Sequence, residues 1–113
     1  MIFETRHLVF TNSALKKAFG WYQKVPNQTD LPLGLIASVV PRSDGGVVVM
    51  VQQGAAKVRD VAFMPSKTLG ILLLFCRRQK IPIPRDADKD IFQSDDGIML
   101  TIRGSCSTTA PPP

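Results

Sequence analysis

The sequence predicts an α+β fold: a single domain with an antiparallel or mixed sheet, two main helices and the element order β-α-β-β-β-α-β-β. Three observations carry this. Leu15, Ala18, Phe19 and Tyr22 recur at helical spacing. Two β-branched runs flank Asp44-Gly45-Gly46, as in a hairpin. A leucine-rich helical stretch follows Pro65 and ends before a second pair of strand-like runs. At 113 residues, with 44% apolar and 20% charged residues, the chain suits one globular domain and is too short for two ordinary ones.

Phe3 to Phe10 reads as a short strand, and Thr11-Asn12-Ser13 offers three successive helix N-cap candidates. In the helix that follows, Lys16, Lys17, Gly20, Gln23 and Lys24 fall opposite the apolar stripe, and Pro26 ends it. Asn27 to Pro32 is a loop. Gly34 to Val40 and Val47 to Gln52 form the hairpin, with glycine supplying the positive φ of a tight reversal. Val47-Val48-Val49-Met50-Val51 is apolar on both alternating sets, so both its faces are expected to be covered. Val58 to Phe63 is a third strand of this group, with Val61 and Phe63 on one face and Asp60 on the other.

Met64-Pro65-Ser66 starts the second helix, because proline in the first turn loses no hydrogen bond. It runs to about Lys80, with Leu69, Leu72, Leu73 and Cys76 on one face. Ile71, Leu74 and Phe75 lie largely away from that face, so the helix is apolar nearly all round. Such a surplus is expected to meet the first helix, the C-terminal segment or a second copy of the chain, with Ile71, Leu74 and Phe75 as the candidate dimer contacts and close approach of another backbone at Gly70. Beyond it, Lys89 to Gln93 and Ile98 to Arg103 flank Ser94-Asp95-Asp96-Gly97 as a second hairpin. The domain is expected to span residues 1–103, and the Ser/Thr/Pro-rich 104–113 to be a disordered tail.

Fourteen Lys and Arg against nine Asp and Glu give +5 and a modest bias towards anionic partners. The start Met1-Ile2-Phe3-Glu4 lacks the pattern of a signal peptide, and the longest apolar run, Ile71 to Cys76, is too short to cross a bilayer. A cytoplasmic location without membrane attachment is expected, with Cys76 and Cys106 as free thiols.

Catalytic patterns are weak. His7 is the only histidine and has no sequence neighbour suited to a triad or zinc site. Asp86-Ala87-Asp88-Lys89-Asp90 lacks the glycine and distal glutamate of a calcium loop. No glycine pattern fits a phosphate cradle. No catalytic residue, metal or cofactor is therefore assigned, and the protein is expected not to be an enzyme.

The segment Cys76-Arg77-Arg78-Gln79-Lys80-Ile81-Pro82-Ile83-Pro84-Arg85-Asp86-Ala87-Asp88-Lys89-Asp90 makes a charged elbow. Arg77, Arg78 and Lys80 suit the negative end of a helix dipole, each by about 0.3 to 1 kcal/mol. Pro82 and Pro84 hold Ile81 and Ile83 extended against the core. A self-neutralising turn, with the aspartates paired to nearby arginines, is the structural reading. An anion or partner site on Arg77, Arg78, Lys80, Arg85 and Lys89 is the functional one. Lys16, Lys17 and Lys24 offer a second basic surface.

The order helix, three strands, helix between Ser13 and Lys80 is similar to the layout of double-stranded RNA-binding domains. That family opens its second helix with a lysine-rich run, where Ser66-Lys67-Thr68-Leu69 has one lysine. The order also resembles that of the dimeric chaperones of type III secretion, which are acidic where this chain is basic. A PilZ domain would need Asp-X-Ser-X-X-Gly on a strand, and no such pattern occurs. Layout without motif assigns no family. The expectation is a small basic, non-catalytic interaction or adaptor protein, homodimeric through the apolar second helix or the valine-rich sheet face. Its partner would be itself or another protein. The alternative is a nucleic-acid-binding regulator using the first-helix lysines and the basic segment 77–89.

Overall fold

The computed structural model describes residues 3–84 and 86–105. Its elements are β1 (Phe3–Thr11), α1 (Asn12–Gln23), β2 (Leu35–Pro41), β3 (Val47–Gly54), β4 (Lys57–Phe63), α2 (Pro65–Arg78), β5 (Asp88–Ser94) and β6 (Gly97–Ser105). The α+β order read from the sequence is the one observed. The strands form two antiparallel three-stranded sheets, β1-β6-β5 and β2-β3-β4. Strand β6 runs to Ser105, beyond the expected end at Arg103. Residues 106–113, the rest of the expected tail, lie outside the described residues, and Cys106 with them.

Local chemistry explains the boundaries. The Thr11 Oγ1 accepts a hydrogen bond from the Ala14 N–H at 3.3 Å and caps α1, satisfying one of its orphan amides. In the β2–β3 turn Gly45 has φ of 92°, and a Cβ there would lie 2.9 Å from the Ile91 carbonyl oxygen. Glycine is needed on both counts, and the turn packs its backbone against β5. The Gln93 Nε2 donates to the Pro41 carbonyl at 3.3 Å and tethers the two sheets at the same place.

The core sits where both helices meet the inner sheet faces. Val47, Val49 and Val51 of β3 and Ile98, Leu100 and Ile102 of β6 are essentially fully buried, together with Leu15, Ala18, Phe19 and Tyr22 of α1. Phe19 and Phe63 join helix to sheet with ring centroids 5.3 Å apart. Each such large side chain contributes about 1.5–3 kcal/mol of hydrophobic stabilisation.

The structure differs from four of these expectations. The buried face of α2 is Thr68, Ile71, Leu72 and Cys76 rather than the face through Leu69 and Leu73. The Thr68 hydroxyl donates to the Met64 carbonyl at 2.9 Å, so the polar residue enters the core satisfied. With apolar residues on every side, the sequence held no phase signal against this. Ile71, expected at an intermolecular contact, is therefore only 2% exposed within its own chain. Strand β3 is covered on one face only, since Val48 and Met50 on the other are half-buried. No atom lies within 4 Å of a Cβ built on Gly70, so the expected close backbone approach does not occur among the described residues.

The loop between α1 and β2 is fixed by side chains. The Gln28 amide bonds the Leu31 N–H and C=O, each at 2.9 Å, and the Gln23 Nε2 donates to the Pro32 and Gly34 carbonyls at 2.9 Å. The Asp30 Oδ2 accepts from the Tyr22 hydroxyl at 2.6 Å and from the Lys67 Nζ at 2.9 Å. These two bonds, the tyrosine's first, hold the Asp30 carboxyl below its ordinary pKa. Burial, reinforced by Asp30, pushes the Tyr22 phenol up.

Two predictions follow from this packing. Gly70→Ala, placed in open space on a helix, stabilises the fold by about 1 kcal/mol in urea denaturation, because alanine loses less backbone entropy. The depressed Asp30 pKa means that its contribution is present above the ordinary aspartate value and lost as pH falls through the folded one. Asp30→Asn should therefore flatten the acid limb of a stability-versus-pH curve and leave its neutral limb parallel to wild type.

Candidate functional site

The elbow between α2 and β5 forms from three local devices. The Ile81 N–H donates to the Cys76 carbonyl at 2.9 Å and the Lys80 N–H to the Arg77 carbonyl at 3.1 Å, the paired bonds that terminate a helix through a left-handed residue. That residue is Lys80, with φ of 61°. The Arg6 Nη1 of β1 then donates to the Pro82 carbonyl at 2.7 Å and pins the proline step to the sheet. Ile81 and Ile83 pack against the core, as the spacing of the two prolines predicts.

These devices open a cleft of about 580 Å³ lined by Leu73, Arg77, Lys80, Ile81, Pro82, Ile83, Pro84 and Lys89. Arg77, Lys80 and Lys89 reach it from the helix end, the left-handed turn and β5, and no carboxylate lines it. The Lys89 Nζ donates to the Ala87 carbonyl at 3.0 Å. Arg78 is exposed on the last turn of α2 and does not line the cleft, while Arg85 lies outside the described residues. The structure thus brings three of the five elbow cations together.

Arg85, on which the expected self-neutralisation of the elbow also rests, lies outside the described residues, and Arg77, Arg78 and Lys80 form no ion pair with the elbow aspartates among the described residues. The ion pairs found there are Arg42–Asp44 at 3.9 Å, Lys67–Asp30 at 2.9 Å and Arg103–Asp90 at 2.7 Å. Asp90 alternates to the outer face of its strand and meets Arg103 of β6, because a two-residue period turns it away from the elbow.

A second hollow, about 410 Å³, adjoins the cleft and shares Leu73 and Arg77 with it. Lys67, Gly70, Leu74 and Arg77 form one stripe of α2 along this hollow, beside Tyr22 and Ser66. Of the expected contact residues here, Leu74 is 47% exposed and Phe75 is half-buried against Trp21, with ring centroids 5.9 Å apart. Gly70, expected at a close backbone contact, lines this hollow with open space above it.

Lys16, Lys17 and Lys24 all line one shallow groove with Gly20, Trp21, Gly34 and Leu35, of about 560 Å³. His7 lies on the outer face of the β1-β6-β5 sheet, its Nδ1 3.2 Å from the Thr101 Oγ1, and lines none of these three hollows. Burial raises the pKa of the Cys76 thiol, with Arg6 acting weakly in the other direction. A buried thiol so placed is a poor nucleophile. Among the described residues no group of three or more His, Cys, Asp or Glu is placed to hold a metal ion, and no helix is long and apolar enough to cross a membrane.

The outer face of the β2-β3-β4 sheet leaves several large apolar side chains uncovered. Its cross-strand rows are Val40–Val48–Ala62, Ser38–Met50–Asp60 and, at the β2 bulge, Leu35–Gln52–Val58. Leu35, Val40 and Val58 are 67%, 48% and 55% exposed. Asp60 is the sole charge in these rows.

Comparison with known proteins finds no family model, curated protein or solved structure that matches this chain. Its surfaces must be interpreted from their own chemistry.

Lysine in a left-handed conformation is disfavoured relative to glycine by about 1 kcal/mol or more. Lys80→Gly should accordingly raise the unfolding free energy by about 1 kcal/mol in urea denaturation. A drop in stability would mean that the Lys80 side chain supports the fold itself.

Proposed function

We propose that the protein is a non-catalytic interaction protein that assembles as a homodimer through the outer face of the β2-β3-β4 sheet. The observation that carries this reading is the clustering of Leu35, Val40, Val48, Met50, Val58 and Ala62 on one side of three paired strands, with Ser38, Gln52 and Asp60 the polar positions among them. Scattered apolar side chains on a surface are ordinary, whereas a continuous patch rimmed by polar residues marks a contact.

Electrostatics selects the occupant. A two-fold interface sets one patch against its own copy, so it tolerates little net charge. The sheet face meets that condition, having one carboxylate in its rows. The α2 stripe does not, because Arg77 and Lys80 would be brought against their own copies. The valine-rich sheet therefore serves self-association better than the second helix. The geometry of His7, on an open sheet face and bonded to a threonine, favours no hydrolytic role.

A nucleic-acid-binding reading has one specific observation in its favour: Lys16, Lys17 and Lys24 converge on a single groove beside Trp21. Phosphate neutralisation by such a surface would make binding fall steeply with salt.

Sedimentation velocity across a range of concentrations separates the readings. A dimer indifferent to salt is expected, with Val40→Glu weakening its association at least about tenfold, since the carboxylate must be desolvated at the contact. Monomers at every concentration, together with salt-sensitive binding of an RNA or DNA duplex lost in a Lys16→Glu, Lys17→Glu variant, would replace this reading with the second one.

A further inference from the structure

We infer that the α2 stripe and the elbow cleft together form a docking track for a segment of another protein, one that joins an apolar stretch to a cluster of carboxylates. This surface is separate from the sheet face, and the inference does not require the dimer.

The track is continuous and polarised. From Lys67 to Arg77 it follows α2 for about 15 Å, at a rise of about 1.5 Å per residue. Its floor is Gly70, Ile71, Leu73 and Leu74, and it opens through Leu73 and Arg77 into the elbow cleft. The charge differs at its two ends. Lys67 is already bonded to Asp30 at 2.9 Å. Arg77 and Lys80 form no ion pair among the described residues, and the cleft they line holds no carboxylate. An occupant is therefore expected to set apolar side chains over Gly70 and Leu74 and acidic ones between Arg77 and Lys80.

Two features of the sequence are costly for the fold and useful for this track. Glycine within a helix is unfavourable, yet Gly70 has open space above it and no packing reason within the chain. A large side chain there would project into the hollow. The left-handed φ of 61° at Lys80 suits glycine, yet lysine places an ammonium at the cleft. Strain of this kind collects at binding positions. Helix-dipole compensation accounts for cations on the last turn, but not for one in the strained position beyond it.

The chemistry of the walls selects among occupants. Leu73, Ile81, Pro82, Ile83 and Pro84 give the cations an aliphatic setting without a stacking aromatic, which suits an apolar peptide better than bases and phosphates. A second copy of this chain would bring the same cations to the same place. Acidic amphipathic peptides meet both requirements, with charge pairing fixing their direction and aliphatic contact supplying affinity.

The test uses the whole chain and a displayed library of random peptides of about twelve residues, long enough to cover the track. Selected peptides are then titrated in solution by fluorescence anisotropy. The expected result is enrichment of sequences that place leucine, isoleucine or phenylalanine next to Asp and Glu. Their affinity should fall at least about tenfold in an Arg77→Glu, Lys80→Glu variant. Gly70→Leu, which keeps every charge and is favourable in a helix, should abolish binding while the thermal midpoint holds or rises. No enrichment, enrichment of peptides without acidic residues, or binding unaffected by both variants would overturn the proposal. So would an RNA or DNA duplex that competes for the track and depends on Arg77 and Lys80.

Discussion

Two three-stranded sheets have four faces, and this chain has two helices with which to cover them. Both helices lie over the inner faces, where Val47, Val49 and Val51 meet Leu15, Phe19 and Leu72 in one buried cluster. Hydrophobic burial is non-directional, so nothing but chain length stops the outer faces from being equally apolar. Here the two outer faces differ. Each has one wholly apolar row, Val9–Met99–Phe92 on β1-β6-β5 and Val40–Val48–Ala62 on β2-β3-β4, but the first sets His7, Asp90, Arg103 and Asp88 beside it, whereas the second sets Leu35, Met50 and Val58 beside it with Asp60 as its one charge.

The same scarcity of helix shapes the basic end of the molecule. Helix α2 has to serve the core with Thr68, Ile71, Leu72 and Cys76 and still turn sharply into β5. The turn is made by a lysine in a left-handed conformation, held by backbone bonds from within and by the Arg6–Pro82 bond from the sheet. The cations of the elbow are thereby set on a rigid frame. Their backbone positions are fixed by the fold itself.

Much of the fold was legible in the residues. The Thr11 cap, the stripe Leu15, Ala18, Phe19 and Tyr22, the Gly45 turn and the Pro65 helix start are local signals, each enforced by backbone chemistry within a few residues. The phase of α2 was not legible, because a helix apolar on every side leaves its orientation to tertiary contacts and to the internal bond that lets Thr68 be buried. Nor was the half-covered state of β3, since alternation reports which side chains can be buried and not whether an element arrives to cover them. Of the site, the composition of the elbow was readable. The convergence of Arg77, Lys80 and Lys89 on one cleft depends on strand register and on a sheet-to-elbow contact across the chain. Gly70 was read as a place of contact and is a place of vacancy, a distinction that needs coordinates.

The account turns on where the uncovered apolar surface lies. Methyl-labelled NMR over a dilution series tests this residue by residue, in one sample and without substitution. The methyl resonances of Val40, Val48, Met50 and Val58 should shift with concentration, while those of Val47, Val49 and Val51 on the buried side of the same strand should not. Spectra unchanged across the series, or shifts confined to Leu73 and Leu74 of α2, would contradict it.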